Sequence, residues 1–162
     1  MCIRDRLTFT PEAARRAPTA RVEALLAREV EQGIPALSYY RDFAPRVARW
    51  REGFRAFLGD LKGRGLRLAA YGAAAKGSTL LNYAGVGREV LDFVADRSTV
   101  KQGRHMPGVH LHIRAPEALL EARPDAVVLL TWNFKDEILR QQAGYLAAGG
   151  RFILPIPEVR FL

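Results

Sequence analysis

The residues best able to do chemistry stand together in one run, Tyr71-Gly72-Ala73-Ala74-Ala75-Lys76-Gly77-Ser78-Thr79. The run follows a short apolar stretch and opens a helical pattern, so it reads as a strand-to-helix turn. Glycine and alanine let a backbone approach a ligand closely, and the free N–H groups of a helix start favour an anion. Lys76 adds a full positive charge, and Ser78 and Thr79 add hydroxyls. Phosphate, pyrophosphate or carboxylate fits this chemistry. The run is not a GxGxxG fingerprint, because residue 74 is alanine, and its lysine stands too close to Gly72 for a Walker A loop. The same residues also suit a tight turn with no ligand, with Lys76 solvated in the first helical turn.

Three further groups fall at the ends of expected strands. Asp96 stands where dinucleotide folds place an acid for ribose hydroxyls, and it is equally suited to capping the loop at Arg97 and Ser98. Trp132-Asn133 offers an indole face to a base or sugar and an amide that donates and accepts. Asn133 is equally an N-cap for the helix that follows. Pro155-Ile156-Pro157-Glu158 stiffens the chain after the last strand, and Glu158 can point into the same crevice. The histidines are His105, His110 and His112, and the single cysteine is Cys2. His110 and His112 alternate on one strand, but no third ligand is in register, so a metal site is not expected. His105 lies in a loop that can touch ligand. No Ser-His-Asp arrangement follows from the spacing.

These groups need a scaffold of alternating strands and helices. A first helix is expected over residues 19–32, with Val22, Leu25, Leu26 and Val30 on one face. A second follows Asp42, where Phe43, Val47, Trp50, Phe54, Phe57 and Leu61 form a stripe to be buried, with Arg46, Arg49, Arg51 and Arg55 on a solvated face. From residue 66 the pattern becomes βα units. Strands are expected at 66–71, 90–95, 110–113, 126–130 and 151–154. The helices between them start near Ala75, at Pro116 and at Lys135. The alternation implies an α/β, doubly wound, five-stranded parallel sheet of order 3-2-1-4-5. The domain organisation reads as a non-native leader at 1–6, a helical extension at 7–65 and a Rossmann-like domain at 66–162.

Composition excludes several classes. The 162 residues carry a formal charge of +8. The basic groups are spread evenly over the two halves, and no basic run is interleaved with aromatics, so nucleic acid is not an expected partner. A lone cysteine builds no disulfide framework. No run is long and apolar enough for a membrane span and no signal sequence is visible, so the expected location is cytoplasmic.

Taken in order, the motifs resemble one family. The run at 71–82 ending in Leu80-Leu81-Asn82 is similar to the signature of the C-methyltransferase C-terminal domain. So are Asp96-Arg97 with Lys101-Gln102-Gly103, then Met106-Pro107-Gly108, Thr131-Trp132-Asn133-Phe134 and Pro155-Ile156-Pro157-Glu158. The resemblance spans about residues 40–160 with spacing intact. It implies a SAM-dependent sugar C-methyltransferase whose zinc-binding and SAM-binding domains are not in this chain. It assigns SAM to the longer parent, with no cofactor expected on this chain. It implies a nucleotide-sugar or similar small molecule as substrate, and the missing N-terminal and central domains as partners. Together with the spacing it assigns substrate binding to Gly72, Ala73, Lys76, Gly77, Ser78, Asn82, Asp96, Lys101, Gly103, Trp132, Asn133 and Glu158. No catalytic and no metal residue is expected here. A stand-alone nucleotide-binding module and a structural or interaction domain are the alternatives.

Overall fold

The computed structural model describes residues 17–162. The leader expected at 1–6, Cys2 and the first part of the helical extension lie outside the described residues. The chain divides into two compact units, one ending at Ala48 and one running Arg49–Leu162.

In the first unit, α1 (Ala20–Glu31) follows an extended Thr19, whose carbonyl accepts from the amides of Val22 and Glu23. Gly33 ends it in a left-handed turn at φ +74°, with the Ile34 amide bonded back to Glu29. A short helix α2 (Leu37–Arg41) follows, and α3 (Phe43–Gly63) begins. The amphipathic face expected on α1 is present in sequence but is not covered: Val22, Leu25, Leu26 and Val30 are all exposed.

The stripe on α3 is buried only from the point where the second unit begins. Phe54, Leu58 and Leu61 are fully enclosed, and Trp50 and Phe57 pack partly against the same core. Phe43 is 58% exposed, so the expectation of burial along the whole stripe is corrected. Trp50 stacks on Phe54 at 5.1 Å, and its indole N–H donates to the Pro155 carbonyl at 2.7 Å. That bond satisfies the polar end of a half-buried indole. The arginines expected on the solvated face are exposed. One of them, Arg55, also donates to the carbonyls of Ala84 and Gly85 at a helix C-terminus.

The sheet of the second unit is built from β1 (Leu68–Tyr71), β2 (Val94–Ala95), β3 (Ile113–Arg114), β4 (Ala126–Leu129), β5 (Arg151–Leu154) and β6 (Arg160–Phe161). Between them lie α4 (Ala75–Ala84), α5 (Ala118–Ala122), a short 3-10 turn (Trp132–Phe134), α6 (Lys135–Gln141) and α7 (Ala143–Ala147). The order is β3-β2-β1-β4-β5-β6, with all pairings parallel except β5 with β6. The expected sheet of five parallel strands is therefore corrected in count and order. After Pro155–Pro157 the chain turns back, and Phe161 pairs with Ile153. Its ring is held by Phe57 at 5.4 Å and lies under the Arg151 guanidinium at 4.2 Å.

Alternation along β1 and β4 creates two cores. Leu68, Ala70 and Val128 face α3 and α4, whereas Ala69, Tyr71, Val127 and Leu129 face α5, α6 and α7. Two strands are shorter than expected for local reasons. β2 keeps only its last two residues, because Val90 and Leu91 bond back to Gly87 in a turn. β3 cannot begin at His110, whose φ of +53° is not extended. The helix expected to start at Lys135 is broken at Gln142 into α6 and α7.

Candidate functional site

Parallel strands with alternating helices bring the carboxyl ends of β1, β2 and β4 to one edge, where open α/β sheets place ligands. Gly72 leaves β1 at φ +96°, a conformation that favours glycine. It also has no room for a side chain, because an added Cβ would meet the Thr131 side chain at 2.5 Å. Gly77 serves packing. A Cβ there would come within 2.7 Å of the Leu130 Cβ, so the glycine lets α4 lie close on β4. Ala74 precedes α4 and no side chain caps it, so the first amides of this ten-residue helix face the turn.

Lys76 turns from this helix toward β4. Its ammonium lies over the Trp132 ring, 4.2 Å from the centroid, and donates to Asn133 Oδ1. Partial desolvation pulls the Lys76 pKa below the ordinary lysine value. Through Lys76 the helix start after the glycine-alanine loop is in direct contact with Trp132-Asn133. Asn133 is exposed and lies in the 3-10 turn before α6. The Thr131 hydroxyl, beside Gly72, is buried with no hydrogen-bond partner among the described residues.

Asp96 is placed differently from an open ribose clamp. It is 8% exposed, its Oδ2 accepts the Ala73 amide at 2.7 Å and its Oδ1 accepts the Ser98 amide at 2.8 Å. Lys101 lies 3.6 Å from the same carboxylate and donates to the Ala73 carbonyl at 2.9 Å. Gln102 donates to the Asp96 carbonyl, and the Gly103 amide donates to Ile113. These bonds fasten the β2–β3 loop to the turn after β1. A second set fastens the far end of that loop to α4. Ser78 Oγ and Asn82 Nδ2 both donate to the Pro107 carbonyl at 3.0 Å. Gly108, at φ +79°, lies where any side chain would run into Asn82. Glu158 is exposed and makes no hydrogen bond or ion pair with another described residue.

The fastened loop borders an open cavity of about 430 Å³ between α4 and β3. Ala73–Ala75, Ser78, Thr79 and Lys101 line it together with Val100, Arg104, His105, Met106, Pro107 and Ile113. Of the expected substrate residues, Ala73, Ser78 and Lys101 line this cavity, Lys76, Trp132 and Asn133 meet beside it, and Gly72, Gly77, Asn82, Asp96, Gly103 and Glu158 belong to neither group. Val100 and Arg104 were not singled out in the sequence. Their contribution depends on how the loop closes, and no local pattern carries that. His105 and His112 form a bridge with ring centroids 5.3 Å apart. No group of three or more metal-ligating side chains occurs among the described residues.

Comparison with known proteins decides the family. The model of the C-methyltransferase C-terminal domain matches residues 6–157. This chain belongs to that family. C-methyltransferase NovU of Streptomyces niveus is 39% identical over 152 residues, which cover 94% of this chain and 36% of NovU. The chain thus spans about a third of the length of that relative. In this C-methyltransferase C-terminal domain, the acid beside the loop after β1 is not open to a ribose. The acid that would hold a ribose is Asp96, and it is buried and engaged with two backbone amides and Lys101. No described helix is long and apolar enough to cross a membrane.

Proposed function

We propose that this chain is the substrate-holding, Rossmann-like part of a longer, cytoplasmic SAM-dependent C-methyltransferase acting on a nucleotide-linked sugar. SAM belongs to another part of that parent. There it supplies an electrophilic methyl group. The residues here bind and orient the methyl acceptor. The contact of Lys76 with Trp132 and Asn133 carries the reading. It gathers a cation for a phosphate, a flat apolar face for a sugar ring and an amide for hydroxyls. The ammonium is partly desolvated, which favours an anionic partner. A phosphate that draws it off the indole leaves that face open to the sugar. Asp96, Lys101, Ser78 and Asn82 act one step back, by holding the loops in place.

Titration of the wild type and Lys76→Ala with a nucleoside-diphosphate sugar tests this reading. Loss of the ammonium is expected to weaken binding by about 1–3 kcal/mol, the range of a charge-assisted hydrogen bond. Equal affinities would remove Lys76 from the site.

A further inference from the structure

We infer that the cavity between α4 and β3 receives the base of a nucleotide, so that the ligand lies with its base toward β3 and its sugar toward Trp132. The inference rests on the reading of a nucleotide-linked substrate and adds its direction and a second subsite. At about 430 Å³ the cavity falls in the usual range of small-molecule sites, roughly 300–1,000 Å³. Its inner wall is apolar and fixed. Met106 and Ile113 are both core residues, 1% and 4% exposed, and the exposed Val100 adds an apolar side chain from the loop. Its mouth carries Arg104 and His105, both exposed. A guanidinium plane and an imidazole are side chains on which bases stack.

The charges near the cavity are not equivalent. Lys101 is held by Asp96 and the Ala73 carbonyl. Arg104 makes no ion pair with any described residue, which leaves its guanidinium plane available to a base. On the other side of the same turn, Lys76 leaves toward Trp132. A ligand with a flat apolar end, an anionic middle and a polyhydroxyl end is matched in that order by the cavity, the turn with its flanking cations, and Trp132 with Asn133. The reverse order would put the polyhydroxyl end against Val100, Met106 and Ile113.

The test uses the whole chain, with uridine diphosphate and inorganic pyrophosphate as probes. Titration is expected to show uridine diphosphate binding about ten-fold tighter than pyrophosphate, because only it brings a base to stack. Nuclear Overhauser spectra of the complex are expected to join the base protons to the methyl groups of Val100, Met106 and Ile113. Arg104→Ala is expected to narrow the advantage over pyrophosphate. Binding with the base protons against the Trp132 indole, or with no contact to those three methyl groups, overturns the inference and leaves the reading of a nucleotide ligand standing. Binding of neither probe removes that reading, and the inference with it.

Discussion

Lys76 and Trp132 meet at the junction of β1 and β4, the ammonium 4.2 Å from the centre of the indole ring. One belongs to the first turn of α4 and the other to the 3-10 turn after β4. Parallel pairing of Tyr71 with Leu129 brings the two turns side by side. The chemistry of the proposed site depends on this register.

The first prediction concerns pH. Burial lowers the Lys76 pKa in the free protein, and an anionic ligand favours its charged form. Affinity for a nucleoside diphosphate should therefore be full while Lys76 is protonated. It should fall as pH rises through its lowered pKa, beginning below the ordinary 10.5. Binding in that range should take up protons. Lys76→Arg, which stays charged, should bind with a flat profile there. Calorimetric titration across alkaline pH in two buffers of different ionisation enthalpy checks both statements.

A pair of glycines separates packing from propensity. Gly77→Ala forces a methyl group against Leu130 and should destabilise the fold by about 1–3 kcal/mol, as overpacking does. Gly53, on α3, has nothing within 4 Å of an added Cβ. Gly53→Ala should stabilise by about 0.5–1 kcal/mol through helix propensity. Thermal unfolding of the two variants should shift in opposite directions.

Much of this arrangement was legible in the sequence, and the limits are physical. The run from Tyr71 to Thr79 declares itself because a buried strand, a glycine and a helix start are all local signals. β5 shows at its full length for the same reason. β6 does not, because two residues after a proline turn have no period, and the long-range contacts with Phe57, Arg151 and Ile153 tell Phe161 where to lie. The stripe on α3 was readable, but where its burial begins depends on which turns lie over the sheet. Asp96 was a choice between ribose and loop. The buried carboxylate with the Ala73 and Ser98 amides supports the second role. The cavity had no signature, since it exists only once Ser78 and Asn82 hold Pro107.

Tyr145 gives the fold an alkaline limit. Its hydroxyl donates to the Pro124 carbonyl at 2.8 Å, and burial pushes its pKa up to about 12 from 10.0. A raised folded pKa means that the native state keeps a proton the unfolded chain releases. The associated stability is complete below pH 10 and is lost progressively as pH rises toward 12. Denaturant unfolding of the wild type should weaken across that window. Tyr145→Phe should start less stable at neutral pH, with an unpaired Pro124 carbonyl, and show a shallower decline.

The central claim is that this chain holds the methyl acceptor and not the methyl donor. Calorimetric titration of the whole chain with a nucleoside-diphosphate sugar and, separately, with SAM tests it most directly. The account predicts saturable binding of the sugar nucleotide, weakened by Lys76→Ala, and no saturable binding of SAM. Tight binding of SAM with none of the sugar nucleotide would contradict it.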